Sequence, residues 1–128
     1  MRPGFYDDWD PAIVFQGRWT KESGADGPDR QTRTHAETPG AQMSLAFDGK
    51  ALYYVFARMP NGGIASVTID GVARERIEMY YAVPDWQHKV GYCCFSPGRH
   101  VVVIQSTGEK NPASSGYSVD LDSFSVLD

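Results

Sequence analysis

Along most of this chain apolar side chains recur at every second position, in runs too short for helices. Ala41, Met43, Leu45 and Phe47 alternate with Gln42 and Ser44, and Ala65, Val67 and Ile69 alternate with Ser66 and Thr68, the spacing of strands buried on one face. Ile13 and Phe15 flank Val14 in a short first strand closed by Gly17. Leu52, Tyr54 and Phe56 alternate with Tyr53 and Val55, so this strand is apolar on both faces and is predicted to be central. Val90, Tyr92 and Cys94 form another strand, and residues 101–104 the next. Residues 74–80 read as a more polar, partly exposed strand. Residues 32–37 have β propensity but little apolar content, which places them on a sheet edge.

Near the end, Val119 and Leu121 share one face, and Phe124 and Val126 continue it after one extra residue. That slip predicts a β-bulge at Asp122-Ser123. Turn residues punctuate the runs at Pro39-Gly40, Asp48-Gly49-Lys50 (a predicted hairpin), Pro60-Asn61-Gly62-Gly63, Asp70-Gly71 and Ser96-Pro97-Gly98. About eight or nine short strands so spaced, with no helical periodicity beyond a turn, define an all-β chain and an antiparallel β-sandwich. Residues 7–15 are expected to partner the last strand, leaving the first and last strands adjacent.

Length suits one domain spanning residues 1–128. The net charge of -4 and the absence of any Lys/Arg stripe argue against nucleic acid as a partner. No apolar run approaches the roughly 20 residues of a membrane helix. Residues 1–8 show no signal peptide, so the chain reads as a cytosolic protein or as a domain cut from a longer secreted one. Cys93 and Cys94 are adjacent on a predicted strand, where neighbours face opposite ways. They are expected to be two small, mostly buried thiols rather than a vicinal disulfide, and they carry neither metal spacing nor a redox motif.

Several segments together carry a resemblance. Residues 8–19, Asp-Trp-Asp-Pro-Ala-Ile-Val-Phe-Gln-Gly-Arg-Trp, resemble a DxxPxIxYxGxW opening. Thr34-His35 with Pro39-Gly40-Ala41, residues 63–71, Pro97-Gly98-Arg99-His100 and the closing residues 107–126 follow in matching order. The chain resembles galactose-binding-like jelly-roll modules, similar to carbohydrate-binding modules appended to bacterial glycoside hydrolases. The resemblance implies a jelly-roll sandwich, a polysaccharide or oligosaccharide ligand and an appended catalytic domain in a longer parent. It also implies a monomer in an extracellular or cell-surface setting. Calcium is implied at Asp122, which matches the family position, joined by Asp8 or Asp10 if the end strands pair. The paired glutamates with which calcium-binding relatives often open are missing here.

No catalytic set emerges: His35, His88 and His100 fall on separate predicted elements, and Ser114-Ser115-Gly116 lacks a nucleophile-elbow context. The chain is read as a non-enzyme. His100, following a turn, is expected to make a structural hydrogen bond, and Trp19 to plug the core. Sugar binding needs exposed aromatic faces beside polar donors. Trp86 in the segment Val83-Pro84-Asp85-Trp86-Gln87 is the leading candidate, with Asp85 beside it and Tyr80 and Tyr81 near it in sequence. By resemblance Asn111 would hydrogen-bond the ligand, with Lys110 as a second donor. The function expected is a non-catalytic carbohydrate-binding module. The alternative is a structural or protein-interaction domain that docks through the edge strand at residues 32–37.

Overall fold

The computed structural model of the chain describes residues 4–7, 12–23, 32–36, 38–83 and 85–127. In chain order its strands are β1 (Gly4–Asp7), β2 (Ile13–Gln16), β3 (Thr20–Ser23), β4 (Thr32–Ala36), β5 (Gln42–Asp48), β6 (Ala51–Arg58), β7 (Ile64–Ile69), β8 (Val72–Ala73), β9 (Ile77–Glu78), β10 (Asp85–Cys93), β11 (Arg99–Ser106), β12 (Val119–Leu121) and β13 (Ser123–Leu127). They form an antiparallel β-sandwich. One sheet runs β1-β13-β6-β10, and the facing sheet runs β2-β5-β11-β7-β8 with β9 also on β7. A third, smaller sheet runs β12-β4-β3.

The period-two runs became the two inner faces. Met43, Leu45 and Phe47 of β5 and Val102 and Ile104 of β11 are buried in one cluster with Leu52, Tyr54 and Phe56 of β6 and Phe124 of β13. Tyr54 is fully buried, its ring 4.8 Å from Phe56 and 5.4 Å from Phe124. Its hydroxyl donates to the carbonyl of Asp120, and the Asp120 carboxylate accepts the Ala57 N–H at 2.9 Å. Burial pushes the Tyr54 phenol well up, with the Asp120 charge adding to the effect. Trp19 is half-buried rather than a core plug. It lies against Phe15 with centroids 5.2 Å apart and donates from Nε1 to the Gln16 carbonyl at 2.9 Å.

The first strand does lie beside the last, but it is β1, pairing Gly4 with Val126 and Asp7 with Ser123. Residues 13–16 pair with β5 instead, where Ile13 meets Leu45 and Phe15 meets Met43, apolar partners that the polar segment at residues 20–23 could not offer. Asp122 is not a bulge within one sheet. The chain changes sheets there, leaving β4 for β6 and β1, and the Asp122 N–H donates to Val55 O at 2.9 Å across the switch. Asp48-Gly49-Lys50 joins strands of opposite sheets rather than a hairpin. A Cβ on Gly49 would stand 2.5 Å from Val126, so the arch fits only glycine. The edge expected at residues 32–37 is absent: β4 is paired on both sides, and its few apolar contacts suffice because Thr34 and Ala36 are buried. Glu37 lies outside the described residues.

Cys93 and Cys94 are exposed and joined as a vicinal disulfide, with Cα atoms 3.7 Å apart. Strand alternation does not apply because β10 ends at Cys93 and Cys94 has φ 75. Asp70-Gly71, with φ 55 and 78, where the sequence marks a turn ending the strand, makes a tight two-residue hairpin between β7 and β8. Asp70 then reaches across to β11. Its carboxylate accepts the Val101 N–H at 2.9 Å and faces His100 Nδ1 at 2.5 Å, while His100 Nε2 faces the Ser96 carbonyl at 2.6 Å. With acceptors on both ring nitrogens the imidazole is held as the cation, in the structural role expected of it.

The hydrogen bond to Asp70 raises the His100 pKa from its ordinary 6.5, with the Ser96 carbonyl adding to it. The hydrogen bond from His100 lowers that of Asp70 from 3.8. The His100 contribution is full below 6.5 and is lost as pH rises through the raised native value. That of Asp70 is full above 3.8 and is lost as pH falls through the lowered one. The melting temperature of wild type should therefore exceed that of His100→Gln most at about pH 5–6, and the gap should narrow by about pH 9. A gap independent of pH would contradict this charge state.

Candidate functional site

The two sheets do not close on each other everywhere. The four-stranded sheet ends at β10 and the facing sheet ends at β8 and β9, and the gap between these edges holds a cleft of about 400 Å³. That size is typical of small-molecule sites. One wall comes from β6 and β10, where His88 pairs with Phe56 and Tyr92 with Leu52, so His88, Val90 and Tyr92 share the inward face. The other wall comes from residues 74–78. Residues 74–76 leave the ladder between β8 and β9, so residues 74–80 are not the continuous strand expected. That break lets Arg74, Glu75 and Arg76 project beside Ile77 and Glu78.

A β-bulge shapes the near wall. Asp85 pairs with Arg58 and His88 with Phe56, so β10 spends three steps where β6 spends two. The extra residue falls at Trp86-Gln87 and brings Asp85 onto the face that His88 occupies. Asp85 Oδ2 then meets Arg58 Nε and Nη2, each at 2.7 Å, and lies 3.3 Å from His88 Nδ1. The Arg58 guanidinium sits 4.4 Å over the Tyr81 ring, and His88 packs edge-on against Phe56 at 5.3 Å. The row Tyr81, Arg58, Asp85, His88 and Phe56 is thus continuous from the surface into the cleft.

The far wall is also braced. Arg76 pairs with Glu109, and Glu78 Oε1 accepts from Asn111 Nδ2 at 2.7 Å. Two cleft groups make no ion pair and no side-chain hydrogen bond among the described residues. Arg74 makes no ion pair; its guanidinium stands 6.0 Å from the Phe95 ring centroid. The Tyr92 hydroxyl is shielded from water and has no hydrogen bond. Burial raises the Tyr92 pKa, the Arg74 charge opposes that and the Glu75 charge adds to it.

The structure divides the residues singled out from sequence. Asp85 and Tyr81 stand at the cleft through Arg58. Trp86 belongs to β10 rather than to a loop, at the bulge, and its side chain lies outside the described residues. Tyr80 is half-buried, bridges Met59 through its backbone and is not part of the lining. Asn111 is held by Glu78 and by its own turn, where it accepts the Ala113 N–H at 2.9 Å. Lys110 donates to the Ser114 carbonyl at 2.9 Å. Both brace the loop of residues 107–118. Of the proposed calcium set, Asp8 and Asp10 lie outside the described residues and Asp122 is buried; among the described residues no cluster of three metal-ligating side chains forms.

The sequence reading missed Arg58, Arg74, Glu75, Glu78, His88 and Tyr92 as a group. The inward alternation of His88, Val90 and Tyr92 was visible in the chain. Only the missing closure beside β10 makes it a site.

No family model matches this chain, and no curated protein does. Solved structures share its fold. A Paenibacillus xanthan lyase superposes with TM-score 0.75 at 19% identity over 98% of this chain and 13% of that one. A two-domain esterase active on acetylated mannans gives TM-score 0.71 at 13% identity, covering 97% of this chain and 36% of that one. A family two carbohydrate esterase from Cellvibrio japonicus gives 0.68 at 22% identity over 95% and 32%. The fold is therefore one that larger carbohydrate-active enzymes carry as one part of their chains. This chain spans between about an eighth and a third of their length.

The braced loop and the far wall meet at Gly62 and Gly63. A Cβ on Gly62 would lie 1.8 Å from the Met79 carbonyl oxygen, and one on Gly63 would lie 2.6 Å from Tyr117 backbone. Gly62→Ala should cost at least about 3 kcal/mol and lower the melting temperature by on the order of 10 °C. A wild-type melting temperature in that variant would contradict this packing.

Proposed function

We propose that this chain is a non-catalytic carbohydrate-binding module that holds a glycan in the cleft between β10 and residues 74–78. The observation that carries this reading is the composition of that cleft, with rings at His88 and Tyr92 over the buried Phe56, beside guanidinium and carboxylate groups. An apolar face with convergent donors and acceptors suits a sugar ring, whose C–H face stacks while its hydroxyls hydrogen-bond. Support also comes from the fold's occurrence within a xanthan lyase and within esterases, including one active on acetylated mannans. In this proposal the module keeps an appended catalytic domain near its polysaccharide, outside the cell or at its surface. The exposed Cys93–Cys94 disulfide agrees with an oxidising compartment. Trp86, at the bulge that aims Asp85, is proposed to add a stacking face. A shallow site of this kind binds with micromolar to millimolar dissociation constants, roughly −8 to −4 kcal/mol.

Affinity gel electrophoresis against plant and microbial polysaccharides tests the proposal. Wild type should be retarded by at least one polymer, His88→Ala about tenfold less, and Trp86→Ala also less. Retention of full affinity by Trp86→Ala would remove that residue from the site, and loss of retardation in EDTA would implicate the Asp122 region in holding calcium. The absence of retardation by every polymer would overturn the proposal.

A further inference from the structure

The cleft's charges are matched in a way that bears on which glycans it can take. Three guanidiniums line it, yet two are already held by carboxylates at the rim: Arg58 by Asp85, and Arg76 by Glu109. Three charged groups remain without an ion pair: Arg74, Glu75 and Glu78. His88 lies against Asp85, and Glu78 already accepts from the neutral Asn111 side chain. The cleft therefore offers one uncompensated cation against two carboxylates, on a chain whose net charge is -4. A polyanionic chain entering it would meet no net attraction, and its own carboxylate would stand near Glu75 and Glu78.

We infer that the ligand is an uncharged saccharide, whose hydroxyls are read by the Arg74 guanidinium and, once its side chain turns out of its shielded position, by the Tyr92 hydroxyl on one side, and by Glu75 and Glu78 on the other. A hydroxyl both donates and accepts, so it can satisfy a mixed set of this kind. A carboxylate only accepts, and would leave both glutamates facing a like charge. The shielded Tyr92 hydroxyl is the second, independent pointer. It is a polar group without any partner among the described residues, at the cleft that a guest would fill. The inference rests on the carbohydrate-binding proposal and adds the charge class of the ligand and the residues that set it.

Matched polysaccharides test it: neutral mannan, glucan and galactan against uronate-bearing pectate and alginate, each at about 20 mM and about 300 mM salt. Binding to a neutral polymer, unchanged by salt, is expected. Tyr92→Phe should bind about five- to tenfold more weakly while keeping the wild-type melting temperature, because its hydroxyl has no protein partner to lose. Arg74→Gln should lose about tenfold, and Glu75→Gln should weaken binding rather than strengthen it. Preference for a uronate polymer that fades with salt would overturn the inference and leave the carbohydrate-binding proposal standing. Full binding by Tyr92→Phe and Arg74→Gln would also overturn it. Failure of every polymer, neutral and acidic, would remove both.

Discussion

The burial of Tyr54 is the contact on which the rest of the structure depends. Its strand, β6, is hydrogen-bonded on both sides and apolar on both faces, so it cannot sit anywhere but the middle of a sheet. The ring fills the space between Phe56 and Phe124, and the hydroxyl finds an acceptor in the backbone of β12. That single residue ties the four-stranded sheet to the core on one side and to the small third sheet on the other. With β6 fixed, β13 and β10 fall on its two edges, and among the described residues β10 has no outer neighbour.

The open edge has a physical origin on both sides. Among the described residues no further strand extends β10, and none extends the facing sheet past β8 and β9. Residues 74–76 could not continue a ladder there without placing Arg74, Glu75 and Arg76 in alternation across a half-buried surface. Burying such charges unpaired is costly, and leaving the ladder lets them fan out into the gap. The sandwich therefore ends in a charged mouth above an apolar floor.

Much of this was legible in the chain. Strict alternation at Met43-Leu45-Phe47 and Ala65-Val67-Ile69 and double-sided apolarity at residues 52–56 mark strands that the fold forms, and Asp70-Gly71 marks a turn that it makes. What the sequence could not carry was which sheet a strand joins. Asp48-Gly49-Lys50 looks like a hairpin turn, yet it arches between sheets because β5 and β6 each find better partners elsewhere. The slip at Asp122 was visible, but a bulge and a change of sheet leave the same mark on alternation. The site was harder still. Trp86, Tyr80 and Tyr81 stand out in the sequence, whereas Arg74, Glu75 and Tyr92 become neighbours only through contacts between two sheet edges. Asn111 and Lys110, singled out in sequence as ligand donors, bond Glu78 and the Ser114 carbonyl in the fold.

The central claim is that ligand enters between β10 and residues 74–78. Amide chemical-shift mapping of the isotope-labelled chain, titrated with an oligosaccharide of the best-retarding polymer, tests it most directly. The largest shifts are expected on residues 74–78 and 88–92. Shifts confined to the loop of residues 107–118, or to the outward face around Tyr53, would contradict it.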